Sequence, residues 1–139
     1  MRLLSTGTIT TAVANQLSAV ATPQSAVLPD NLTIQANFAY GSGGTTATAY
    51  VQTSFDGGAT WCDIANFAFT TSAAKKIYNL SRATPITSVA PPTDGSLSSN
   101  TCVDGLLGSQ YRVKWTTTGT YAGATSLVID IAAGRARVA

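Results

Sequence analysis

The sequence predicts an all-β fold: an antiparallel β-sandwich of about eight strands, jelly-roll-like in its winding, with an extended N-terminal arm. Three observations predict it. Only 10% of the 139 residues are charged, the six acidic residues are all Asp, and neither Glu nor His occurs. Glu and Lys populate exposed helix faces, so their scarcity disfavours helices, whereas the abundant Thr and Val suit a pleated surface. Apolar residues then recur with period two in several runs, and clusters of Gly, Pro, Asp and Asn punctuate those runs.

The elements follow in order. Residues 1–30 hold an alternating run from Gly7 to Val13 and then a plain stretch with Pro23 and Pro29. This region is expected to be a strand followed by an arm that reaches a neighbouring subunit. Residues 31–40 set Leu32, Ile34, Ala36, Phe38 and Tyr40 on one face, the mark of a half-buried strand. After Gly41–Gly44 a strand is expected over Thr45–Ser54, a second over Trp61–Thr70 and a third over Lys75–Leu80; Pro85–Val89 is a further candidate. The segment Ala90–Gly108 is rich in turn formers and is the longest irregular region, hence a candidate contact surface. Gln110–Thr117 alternates with Tyr111, Val113 and Trp115 inward, Gly119–Gly123 turns, and Ala124–Ala132 closes the domain. The expected division is an arm (1–30), a sandwich (31–133) and a short basic tail (134–139).

The most informative stretch is Ser54-Phe-Asp-Gly-Gly-Ala-Thr-Trp61. Two β-type runs joined by Asp-Gly-Gly form a hairpin, because the turn needs positive φ, which Gly adopts without steric cost. The pattern resembles an Asp-box, the hairpin motif of sialidases and many unrelated secreted or virion β-proteins. The resemblance implies that Ser54, Asp56, Gly57, Gly58, Thr60 and Trp61 form a structural turn, with side chains bonded to turn amides and the Trp packed beneath. It implies a fold element, not an activity.

Composition excludes several functions. A net charge of +2, with local clusters only at Lys75-Lys76 and Arg135/Arg137, is no nucleic-acid footprint. No apolar run is long enough for a membrane helix, and Met1–Gly7 lacks the apolar core of a secretory signal. Without His there is no Ser-His-Asp arrangement. Asp56, Asp94 and Asp104 each precede Gly, where Asp is a turn former, and Asp63 and Asp130 occupy outward or edge positions, so no carboxylate pair stands out as catalytic. No catalytic residue, cofactor or metal ligand is assigned. Cys62 and Cys102 permit an intrachain disulfide, a crosslink between subunits or two unpaired thiols. Tyr50 and Tyr121 are the candidates for an exposed aromatic pair contacting a glycan or another subunit.

Several longer stretches are similar, taken together, to small structural proteins of tailed bacteriophages and prophages: Ala49–Phe69, Pro92–Gly95, Asp104–Gly108 and Arg112–Leu127. The likeness spans residues 31–132. It implies a virion component made in the host bacterial cytoplasm, with copies of itself and the major capsid protein or other virion proteins as partners, and neither nucleic acid nor membrane. The expectation is a non-enzymatic capsid decoration or cement protein that stabilises the head. The alternatives are a neck or tail accessory protein and a carbohydrate-binding module for host attachment.

Overall fold

The computed structural model describes residues 1–23, 29–87 and 92–134. Within them lie ten strands: β1 (Arg2–Ser5), β2 (Gln16–Leu17), β3 (Asn31–Ala39), β4 (Ser42–Gly43), β5 (Thr46–Ser54), β6 (Cys62–Phe69), β7 (Ala74–Ser81), β8 (Gln110–Thr118), β9 (Tyr121–Ala122) and β10 (Ser126–Gly134). The fold is all-β, no described residue is helical, and every strand pairing is antiparallel. One sheet has the order β1-β10-β3-β7 and the other β2-β8-β5-β6, while β4 and β9 form a two-stranded ribbon.

With the ribbon set aside, the strands pair as the legs of one long hairpin folded over on itself. The first leg lies on the last (β1·β10), the second on the seventh (β2·β8), the third on the sixth (β3·β7) and the fourth on the fifth (β5·β6). The inner faces of both sheets share one core in a sandwich-like arrangement. Leu32, Ile34, Ala36 and Phe38 of β3 and Leu127, Ile129 and Ile131 of β10 face Ala47, Ala49 and Val51 of β5 and Tyr111 and Val113 of β8. The alternation that marked these strands in the sequence is the alternation of core and solvent. Phe38 stacks on Phe69 of the opposite sheet with ring centroids 5.0 Å apart.

The N-terminal region departs from expectation. Residues 1–23 are tied to the domain along their length: Leu3, Leu4 and Ile9 are core residues, and β1 is an edge strand of the first sheet. Residues 13–21 then run along β8. The Thr117 amide donates to Val13 O (2.9 Å), the Ser18 amide to Val113 O (2.8 Å), and Ala21 and Tyr111 exchange amide–carbonyl bonds at 2.8 and 2.9 Å. The boundary at residue 30 therefore cuts through one body. Gly7–Val13 is not a strand; of its side chains only Ile9 is buried, and too little of the run is large enough to hold it flat against the core. Pro85–Thr87 is irregular, and Ser88 and Val89 lie outside the described residues, as do 24–28 of the expected arm and 135–139 of the expected tail.

Candidate functional site

The outer face of the second sheet carries the richest chemistry, and its foundation is the hairpin between β5 and β6. Ser54 Oγ donates to Asp56 Oδ1 (2.9 Å) and accepts from the Gly58 amide (2.9 Å). Asp56 Oδ1 also accepts from the Thr60 amide (2.9 Å), and Oδ2 accepts from Thr60 Oγ1 (2.5 Å). Trp61 Nε1 donates to Gly58 O (3.1 Å). Gly57 and Gly58 sit at φ 73° and 95°, where a side chain is strained. The Thr60 hydroxyl, the Thr60 amide and Ser54 together hold the Asp56 carboxyl down to about 2, because each bond favours its charged form.

Behind the hairpin, β5, β6 and β8 bring four polar side chains together. Gln52 is fully buried; its Nε2 donates to Asp63 Oδ1 (2.8 Å) and to Asp94 Oδ1 (2.6 Å), and its Oε1 accepts from Arg112 Nε (2.8 Å). Lys114 Nζ lies 2.8 Å from Asp94 Oδ1. Lys114, then Gln52, holds the Asp94 carboxyl below the usual carboxylate range. The Arg112 guanidinium stacks over the Trp61 ring at 4.4 Å, joining the network to the hairpin. The network holds two carboxylates and two cations, with Asp94 the exposed member.

Asp63 is the centre of this arrangement. It is 2% exposed, and besides Gln52 its carboxylate accepts from Thr93 Oγ1 (2.8 Å) and from the amides of Gly95 (2.9 and 2.8 Å), Ser96 (3.0 Å) and Leu97 (3.2 Å). Asn66, also buried, accepts from the Asn100 amide (3.1 Å) and donates to Leu97 O (2.9 Å). The Asn66 and Val103 amides then donate to Thr101 O and Ile64 O, both at 2.8 Å, so residues 101–103 line the outer edge of β6. Asp63 and Asn66 are two posts that pin the long loop to the sheet. They share the outer face, despite their spacing of three, because the β5·β6 register shifts between Val51 and Gln52 and absorbs one residue of β6. Asp104 ties the far end of the loop, accepting from the amides of Ser81 (2.6 Å) and Gly105 (2.9 Å) and from Thr84 Oγ1 (3.0 Å).

Between hairpin and loop lies a shallow pocket of about 220 Å³ lined by Phe55, Thr60, Trp61, Cys62, Pro92 and Leu106. Burial, reinforced by the carboxylates of Asp63, Asp56 and Asp94, pushes the Cys62 thiol up, so it is a poor nucleophile. Cys62 and Cys102 are free thiols, one buried and one exposed. Cys102 pairs across from Ala65, three residues beyond Cys62, and not from Cys62 itself.

The two candidate tyrosines separate. Tyr50 is half-buried on the outer face, opposite Asn66 and Lys114. Tyr121 is 1% exposed, and its place as an exposed contact is corrected: its ring meets Phe38 edge-on and its hydroxyl donates to Thr70 O (2.7 Å). The β4·β9 ribbon folds it over the end of the core. The sequence assigns Asp63 an outward or edge position but no role, and assigns none to Gln52, Asn66 or Arg112; the signal for Asp63 and Asn66 is a pair of polar residues inside the apolar run Cys62–Phe69. No family model, curated protein or solved structure matches the chain.

Proposed function

We propose that this chain is a non-enzymatic structural protein of a tailed-phage virion, a capsid decoration or cement protein that works as a homo-oligomer on the head. The observation that carries the non-enzymatic reading is the use of its carboxylates. Asp56, Asp63, Asp94, Asp104 and Asp130 are all engaged with turn amides, loop amides or neighbouring cations. The oxygens of Asp63 already accept from loop amides, Thr93 and Gln52, so they serve to hold the loop and not to move a proton. A loop pinned in this way is a rigid surface, which binds at a smaller entropic cost than a floppy one.

Placement on a virion rests on two supports. One is the resemblance over residues 31–132. The other is the pairing of first strand with last, second with seventh, third with sixth and fourth with fifth, which supports a jelly roll, an architecture used by viral capsid and lectin domains. A decoration protein stabilises a shell by burying apolar area at many weak, repeated contacts. Leu17 and Val20 on the segment along β8 and Phe55 beside the pinned loop are large, exposed apolar residues fitted to that role.

The second reading is a carbohydrate-binding module. It is favoured by the pocket where Phe55 and Trp61 flank Thr60, an apolar floor of the kind a sugar face covers. Quantitative mass spectrometry of purified particles separates the readings. A copy number comparable to the major capsid protein is the expected result for decoration, and a small fraction of it assigns the chain to the neck or tail. Absence from particles overturns the virion reading and moves the glycan module forward.

A further inference from the structure

The sheet edges of this molecule are not treated alike. The β6 edge is lined by residues 101–103, and the β8 edge by residues 13–21. The β1 edge is four residues long and its register is broken between Arg2 and Leu4. Covering, shortening, bulging and charged side chains, lysine above all, are the usual ways to guard an edge. Among the described residues nothing covers the β7 edge, and it is neither short nor bulged; its one guard is the exposed side chain of Lys75. It is eight residues long, its register with β3 runs unbroken from Asn31↔Ser81 to Phe38↔Ala74, and Ile77 at its middle is 57% exposed.

The direction of its backbone groups is fixed by two bonds. The Arg82 amide donates to Asp30 O (2.8 Å), which marks Asn31↔Ser81 as a pair whose own groups do not bond each other, and the Ser81 amide turns away to Asp104 Oδ1 (2.6 Å). Alternation along the unbroken register then points the N–H and C=O of Lys75, Ile77 and Asn79 outward from β3. Among the described residues none hydrogen-bonds to these groups.

We propose that β7 is a dimerisation edge, onto which a second copy of this chain adds its own β7, antiparallel and in two-fold register centred on Ile77. The idea rests on the homo-oligomer reading above. The occupant follows from the symmetry of the free window. The outward groups sit at 75, 77 and 79, so a copy related by a two-fold axis at Ile77 presents the same groups in matching order and every one is satisfied. Ile77 then faces Ile77, Lys75 faces Asn79 and Lys76 faces Tyr78, so each opposed pair lies on one face of the joined sheet. No lysine is directly opposite a lysine in this register, whereas parallel pairing sets Lys75 and Lys76 against their own copies. The two four-stranded sheets become one continuous sheet.

The test is the molar mass of the full chain by light scattering across a concentration series, for wild type, Ile77→Lys and Ile77→Pro. Because the Ile77 amide takes no part in the β3 ladder, proline there removes only the outward donor. The expected result is a dimer for wild type and a twofold drop in mass for both variants, with unchanged circular dichroism. Amide exchange at 75, 77 and 79 should also be at least tenfold faster in Ile77→Lys than in wild type. If the proline variant does not fold, the lysine variant carries the test, because it alters only an exposed side chain. A wild-type monomer up to the solubility limit, or a dimer that survives Ile77→Lys, overturns the proposal. Particle loading separates this idea from the one it rests on. A dimer broken by Ile77→Lys but missing from particles keeps the edge and removes the virion role. A chain abundant on particles yet monomeric in solution does the reverse.

Discussion

Asp56 and Asp63 are both carboxylates bonded to backbone amides, yet their surroundings predict different behaviour. Asp56 is exposed and holds a local turn. Its replacement by Asn should lower Tm by a few degrees at neutral pH, since Thr60 loses a charged acceptor. Its carboxyl is held down to about 2 against an ordinary 3.8, so the stabilisation is fully present above pH 4 and is lost as pH falls through 2. Melting curves of wild type and Asp56→Asn should therefore converge between pH 4 and pH 2; a gap that stays constant across that window removes the turn's charge from the explanation. Asp63 is buried and holds a distant segment. Asp63→Ala leaves Gln52, Thr93 and the amides of Gly95, Ser96 and Leu97 without their acceptor, and should cost about 2–4 kcal/mol in urea unfolding. The same variant should be cut by proteases within residues 92–103 well before wild type. A variant with wild-type stability and an uncut loop contradicts the pinning role.

At the scale of elements, the major strands were legible because one face of each is buried, and burial imposes period two. Strands β3, β5, β8 and β10 fall within a few residues of where the alternation sets them. The hairpin was legible for another reason: its chemistry is local, and the residues that make its bonds lie within eight positions. The loop network was not legible. Asp63 meets residues some thirty positions away, and the register shift in β6 moves Asn66 onto a face that strict alternation denies it. Tyr121 misled because a tyrosine in a Gly-rich turn reads as exposed, while the turn itself folds back as the β4·β9 ribbon. The N-terminal region misled because its apolar residues are few and irregularly spaced, although Leu3, Leu4 and Ile9 all reach the core. A chain lacking residues 1–30 should accordingly fail to fold. Burying three such side chains stabilises by about 1.5–3 kcal/mol each, in total comparable to the stability of a whole domain. A dispersed amide NMR spectrum from residues 31–139 alone contradicts this and restores the arm as a separate segment.

For the whole molecule, the pairing of legs matters more than the identity of any one residue. Arg2 bonds Asp130, 128 positions away, and the four leg pairs shorten in separation toward the β5·β6 hairpin at the centre. Such a fold can grow outward from its middle. The Ser54–Trp61 turn joins the only leg pair with a short connection, so it is the natural place for ordering to begin, and each later pair must close a longer loop at a rising entropic cost. Chains dominated by non-local pairing fold in milliseconds to seconds, orders of magnitude slower than helical bundles. During that interval β10 has not yet joined β1 to β3, and both remain open to other chains in a crowded cell. Low temperature and low expression rate should therefore favour recovery of soluble material, and a substitution that weakens the Asp56 turn should slow refolding as well as lower stability.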